Sequence, residues 1–199
     1  MSKPLRNHWV AMKGILMYLQ GTLYFGIKNT NSFDVRLIGF SDSDWGGNLD
    51  DRRSITCYAF NIGFGFIAWS SKKQYTVSLS SAEAEYQLMC ATKCEVVWLR
   101  RVLHDAREEQ KDATVIRCDN RSSIKLANNH VFHKNTNHID KYFHFFRQKV
   151  QSKEIYIEYC NTFDNAANIF TKPLGRIKFE LFREMLGVLM NPFSIKGEC

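Results

Sequence analysis

"VRLIGFSDSDWGG", residues 35–47, joins an apolar run to two closely spaced carboxylates. Val35 to Phe40 has the length and composition of a buried strand, and Asp42 and Asp44 follow where such a strand would surface. A type I turn needs only one Asp, Asn or Ser at its first position, so a second Asp followed by Trp45 exceeds turn chemistry. The stretch acquires a function only if other isolated acids converge on the same rim.

The flanking pattern supplies the scaffold. His8 to Leu19 carries Trp9, Met12, Ile15, Leu16 and Leu19 at helical spacing, with Gly21 as its stop. After the polar break "KNTNSFD" and the first strand, "NLDDRRS" forms a charged turn. It leads into a strand over Ile55 to Ile62, and the Gly63/Gly65 turn returns the chain as Phe66 to Ser70. Ser80-Ser81-Ala82-Glu83 is a capping box opening the longest helical pattern, which reaches to about Gln110. A short strand over Val115 to Cys118 ends in Asp119, and helices are expected near 122–128 and 139–151. A strand over Ile155 to Tyr159, a short helix near Asp164 to Phe170 and a helical basic tail complete the chain. From Val35 to Phe170 the order β-β-β-α-β-α-α-β-α predicts a mixed α/β fold. Its sheet has five strands, a three-strand antiparallel meander plus two parallel strands, flanked by helices.

Composition narrows the partners. The chain of 199 residues has 45% hydrophobic content, enough for one substantial core. With 27 Lys plus Arg against 20 Asp plus Glu, its formal charge of +7 favours polyanions, nucleic acid first among them. The six cysteines form no C-x-x-C pair and read as reduced thiols of a cytoplasmic or nuclear protein, which makes the sequon at Asn120 irrelevant. No signal peptide is expected, and the apolar stretch from Cys57 to Trp69 is too short to span a bilayer, so no membrane partner is expected either.

Among the acids, Glu83 has a capping role, whereas Glu85 shares the helix face of Leu88, Met89, Val96 and Leu99. Burying a polar group there costs on the order of 2 to 7 kcal/mol, and more for a charge, unless a partner or a bound cation compensates. Asp119 closes its strand as Asp42 closes the first; an N-cap for the following helix is the alternative use. Two strand-end aspartates and a core-facing glutamate would form an all-oxygen site suited to Mg²⁺ or Mn²⁺.

"GFSDSDWGGNLDDRRSITCYAF", "WSSKKQYTVSLSSAEAEY", "IRCDNRSSIKLA", "NHIDKYFHFFRQKV" and "IFTKPL" occur in this order. Together they resemble the ribonuclease H domain of copia-type retrotransposon Pol polyproteins, over about residues 34–174. The resemblance implies the ribonuclease H fold, cleavage of the RNA strand of RNA-DNA hybrids, and two Mg²⁺ (or Mn²⁺) ions held by an Asp-Glu-Asp-Asp set. Asp42, Glu85 and Asp119 match three of those positions, with Asp42 as the bridging carboxylate and Asp44 left in the turn. The fourth falls on Asn168, an amide without charge, so one metal is expected to be held more weakly, with Asp164 as the acid that would partly compensate. Residues 1–33, including "HWVAMKGILMYLQGTLYFGI", resemble the connection to a reverse transcriptase, and 175–199 form the basic tail. No Y-x-D-D motif, integrase or protease is present, so the chain reads as a Pol fragment whose partner would be a reverse transcriptase domain of a longer polyprotein. A relic that binds nucleic acid without cleaving it is the competing function, and a protein-interaction module using the fold alone is a third.

Arg52-Arg53 and Lys72-Lys73 flank the meander and are candidate phosphate contacts; a solvated face is the alternative. His130, His133, His138 and His144 lack the C-x-x-C partner of a structural zinc site, and His133 and His138 remain candidates for proton transfer. "GFGFIA" at 63–68 matches a dinucleotide fingerprint in letters only, because a strand rather than a helix follows it.

Overall fold

The computed structural model describes residues 5–29, 35–47, 50–63, 65–78, 80–121, 124–125, 149–150 and 152–191. In chain order the first elements are α1 (Arg6–Gly21), β1 (Phe25–Ile27), β2 (Leu37–Asp44), β3 (Ile55–Ile62), β4 (Gly65–Lys73) and α2 (Ser81–Asp105). They are followed by β5 (Thr114–Cys118), β6 (Ile155–Tyr159), a 3-10 helix (Ala166–Phe170), α3 (Arg176–Met185) and β7 (Val188–Met190).

The main sheet has the order β4-β3-β2-β5-β6. Its first three strands pair antiparallel, while β2–β5 and β5–β6 pair parallel, as the alternation of apolar runs and helical segments predicts. Strand β2 reaches further than its apolar run, through Asp44, because β3 continues to pair with it as far as Asp44↔Ile55. Asp42 is therefore inside a strand rather than past its end.

Each face of the sheet is covered by a different part of the chain. On one face Leu37, Phe60, Ile116, Ile155 and Ile157 pack with Met89, Val96 and Leu99 of α2. On the other, Phe40, Cys57, Ala59 and Phe66 meet Ala166 and Ala167 of the 3-10 helix and Leu186 just beyond α3. The alternation of β2 sends Leu37 to the first face and Phe40 to the second, the period-2 geometry of a strand buried on both sides.

Helix α1 forms at its expected place and ends at Gly21, but none of its residues is buried. The tail departs further from its sequence pattern. Among its described residues 176–185 are helical; Gly187, at a φ of 75°, turns the chain into β7, which pairs antiparallel with β1. Both strands are three residues long, too short to show a period. Phe182 and Leu186 are 2% exposed, so the basic tail anchors part of the core. Of the helices expected over 122–128 and 139–151, Ile124, Lys125, Lys149 and Val150 are helical, as is Arg121 just before the first range; the remainder, with His130, His133, His138 and His144, lies outside the described residues.

Candidate functional site

The parallel ladder between β2 and β5 ends at Ser41↔Cys118, and the next residue on each strand is an aspartate, Asp42 and Asp119. Two neighbouring parallel strands thus release one carboxylate each at the same rim, the usual place for a site in a sheet of this kind. Asp42 is 2% exposed. Its Oδ2 accepts from the Thr171 hydroxyl and its Oδ1 from Lys172 Nζ at 3.0 Å. Burial raises its pKa, partly offset by Thr171 and Lys172 and reinforced by the charge of Asp119. Asp119 is half-buried and accepts at Oδ2 from the Thr162 hydroxyl at 2.8 Å.

Glu85 reaches this rim from α2. Ser80 caps the helix through Glu83 N at 3.2 Å, as the capping box predicts. Gln74 braces the same turn, donating to Ala84 O at 3.0 Å while its own Oε1 accepts from Ser78 at 2.7 Å. Leu88, Met89, Val96 and Leu99 are buried, and Glu85 is buried with them at 4% exposure. Burial, with the charges of Asp42 and Asp119, pushes its carboxyl up to about 8, against a hydrogen bond from the Ser43 backbone that favours the anion. Cys118 Sγ lies 3.9 Å from Glu85 Oε2.

Asn168 is 1% exposed on the 3-10 helix. Its Nδ2 donates to the carbonyls of Thr162 and Asn165, at 2.9 and 3.0 Å, which leaves Oδ1 facing the rim. That oxygen accepts from Lys172 Nζ at 2.6 Å. Burial works against the Lys172 ammonium, but Asp42, Asp119 and Glu85 together outweigh it and hold its pKa above the ordinary lysine value. Asp164, the acid weighed as compensation for Asn168, is exposed in the preceding turn.

The rim therefore gathers Asp42, Glu85, Asp119 and Asn168, the residues singled out in the sequence, plus Lys172. Thr162, Asn165, Thr171 and Lys172 carried no assigned role in the sequence; the last two stand in the quoted "IFTKPL". The donor set is all oxygen, and two of its carboxyls are buried with raised pKa, which fits a hard divalent cation. Among the described residues, however, no three His, Cys, Asp or Glu side chains are disposed to hold a metal ion as they stand. Among the described residues, Lys172 places its ammonium at the rim, on Asp42 and Asn168.

Asp44 is the last residue of β2, paired with Ile55, rather than part of the turn expected from the sequence. Its carboxylate lies where a Cβ on Gly47 would fall, so a side chain at 47 would have to push that carboxylate aside, and Gly46 takes a φ of 63°. Trp45 Nε1 donates to Ser78 O at 3.1 Å, leaving the ring half exposed. Of the candidate phosphate contacts, Lys73 Nζ is 2.6 Å and Arg53 Nε 3.7 Å from Asp51 Oδ2. Lys72 lies over the Tyr75 ring at 5.1 Å, and Arg52 is exposed at a φ of 55°.

No protein-family model matches the chain. Over 195 residues, 96% of its length, it is 38% identical to the retrovirus-related Pol polyprotein from transposon TNT 1-94 of Nicotiana tabacum. Over 197 residues, 99% of its length, it is 38% identical to the one from transposon RE2 of Arabidopsis thaliana. Its homologues are retrovirus-related Pol polyproteins of plant transposons. This Pol-related chain spans 14% of the length of each of the two relatives just named. Its fold is RNase H-like: a solved RNase H1 isolated from compost by a metagenomic approach aligns with a TM-score of 0.51 at 13% identity, covering 69% of this chain and 93% of that one.

Proposed function

We propose that the chain is a metal-dependent endoribonuclease of RNase H type that cleaves the RNA strand of RNA-DNA hybrids, as one segment of a Pol polyprotein. The observation that carries this reading is the convergence of Asp42 and Glu85, both buried and both electrostatically coupled to Asp119, at the end of the β2–β5 pair. Asp42, Glu85 and Asp119 would hold Mg²⁺ or Mn²⁺, two ions in all, with Asn168 Oδ1 as a neutral ligand. When bound, such ions supply a deprotonated water and neutralise charge on the phosphodiester. Thr162 and Thr171 orient Asp119 and Asp42, and Glu85, whose carboxyl is held in the protonated form by burial, would have to be ionised to serve as a ligand. Arg52, Arg53, Lys72 and Lys73 supply the phosphate contacts on the hybrid, with His133 and His138 as candidates for proton transfer.

We further propose that the chain works in the cytoplasm or nucleus beside a reverse transcriptase segment; no described helix is long and apolar enough to cross a membrane. A second reading, binding without cleavage, is favoured by the engagement of Asn168 Oδ1 and Asp42 Oδ1 with Lys172. Incubation with an end-labelled hybrid in Mg²⁺ or Mn²⁺ separates the two. RNA-strand cleavage that Asp42→Asn abolishes supports the nuclease. Salt-sensitive binding without cleavage supports the second reading, and absence of binding overturns both.

A further inference from the structure

Lys172 lies one helical turn beyond Asn168, and its ammonium sits between two oxygens assigned to the metal site: Asp42 Oδ1 at 3.0 Å and Asn168 Oδ1 at 2.6 Å. It is also in electrostatic contact with Asp119 and Glu85. The Asp42 side chain is 2% exposed and that of Lys172 37%, so the acid is fixed in the protein while the lysine has a path to solvent. Long amphipathic side chains of this kind can withdraw their charged end without disturbing the packing around the stem. A divalent cation needs carboxylate and amide oxygens at about 2.0–2.6 Å, with lone pairs directed at it. One lone pair on each of Asp42 Oδ1 and Asn168 Oδ1 is directed at Lys172 instead, and two cations between the same oxygens repel each other strongly.

We propose that Lys172 is a displaceable internal counter-ion: it holds Asp42 and Asn168 together in the absence of a divalent cation and has to release both oxygens for one to bind. The inference rests on the metal-site reading above and adds a positioning residue to it. It accounts for a buried aspartate and an amide being kept in place while no metal-ready trio stands assembled among the described residues.

The test uses Mn²⁺ as the probe, with affinity followed by calorimetry and by the resonance signal of free Mn²⁺. Lys172→Met, which keeps the stem and removes the charge, is expected to bind Mn²⁺ about tenfold more tightly, the order of a partly buried charge pair. It should also melt at a lower temperature than the native chain in chelator, with the gap closing as Mn²⁺ is added. In the native chain, Mn²⁺ should raise the reactivity of the Lys172 amine toward an acylating reagent, read by mass spectrometry, a measurement that does not depend on the variant folding. Equal or weaker Mn²⁺ binding by Lys172→Met, or unchanged Lys172 labelling in the Mn²⁺-loaded native chain, overturns the inference and leaves the metal-site reading standing. If neither chain binds Mn²⁺, or Asp42→Asn binds it as well as the native chain does, the metal-site reading fails and the inference fails with it.

Discussion

The side-chain amide of Asn165 donates to the Ser41 carbonyl at 2.9 Å, fastening the start of the 3-10 helix to β2 one residue before Asp42. Asn165 is fully buried, and its Oδ1 also accepts from Ala167 N at 3.3 Å, so one side chain caps the helix and docks it. Asn165→Ala leaves both partners without it, and a destabilisation of about 1–3 kcal/mol is expected. Urea unfolding should show a lower midpoint at an unchanged slope, and any hybrid cleavage should weaken as Asn168 loses its register with Asp42.

Asn168→Asp is expected to act in opposite directions on stability and on cation binding. The native amide donates to the carbonyls of Thr162 and Asn165, and a carboxylate oxygen in its place would face both without a proton. The loss is about 1–3 kcal/mol in chelator. With Mn²⁺ the added charge should tighten binding, so the melting temperature of the variant should rise more steeply with Mn²⁺ than that of the native chain. A variant whose Mn²⁺ affinity equals the native value would show that position 168 does not face the cation.

Glu85 gives the site a pH dependence of fixed sign. Its carboxyl titrates near 8 in the folded chain against an ordinary value of 4.5. Between those values the folded state holds a proton that the unfolded state has released. Stability from this group is full below about 4.5 and is lost as pH rises through about 8, by on the order of a few kcal/mol. In chelator, unfolding free energy should therefore fall from pH 5 to pH 8.5, and Glu85→Gln should flatten that slope. Cation binding runs the other way, since the proton must leave Glu85 first, and Mn²⁺ affinity should climb across the same range.

Much of this site was legible because its acids break local rules. Glu85 stands on an apolar helix stripe, and Asp42 and Asp119 each follow an apolar strand core, so each was conspicuous without knowledge of the others. Lys172 was not, because a lysine two residues after a short helix looks solvated, and only the docking of the 3-10 helix against β2 brings it to Asp42. Asn165 was hidden likewise, as its partner is a backbone carbonyl over a hundred positions away. The β1–β7 ribbon escaped because three-residue strands carry no period, and "GRIKFELFREMLGVL" keeps helical spacing past the point where Gly187 ends the helix.

Lys72 and Lys73 are neighbours on β4, yet they should contribute unequally to nucleic-acid binding. Lys73 is 2.6 Å from Asp51, which Arg53 also approaches, so a phosphate would have to compete with that carboxylate for either cation. Lys72 is exposed over the face of Tyr75, an arrangement that keeps its charge available and sets an aromatic surface beside it. Lys72→Ala should weaken hybrid binding and reduce the salt slope by about one counter-ion. Lys73→Ala should change the slope less, and Asp51→Asn, which releases Lys73 and Arg53, should increase it. Measuring affinity for a hybrid across a range of salt concentrations distinguishes these outcomes. Equal slopes for Lys72→Ala and Lys73→Ala would mean that phosphate displaces Asp51 and that the whole basic edge of the meander engages the backbone.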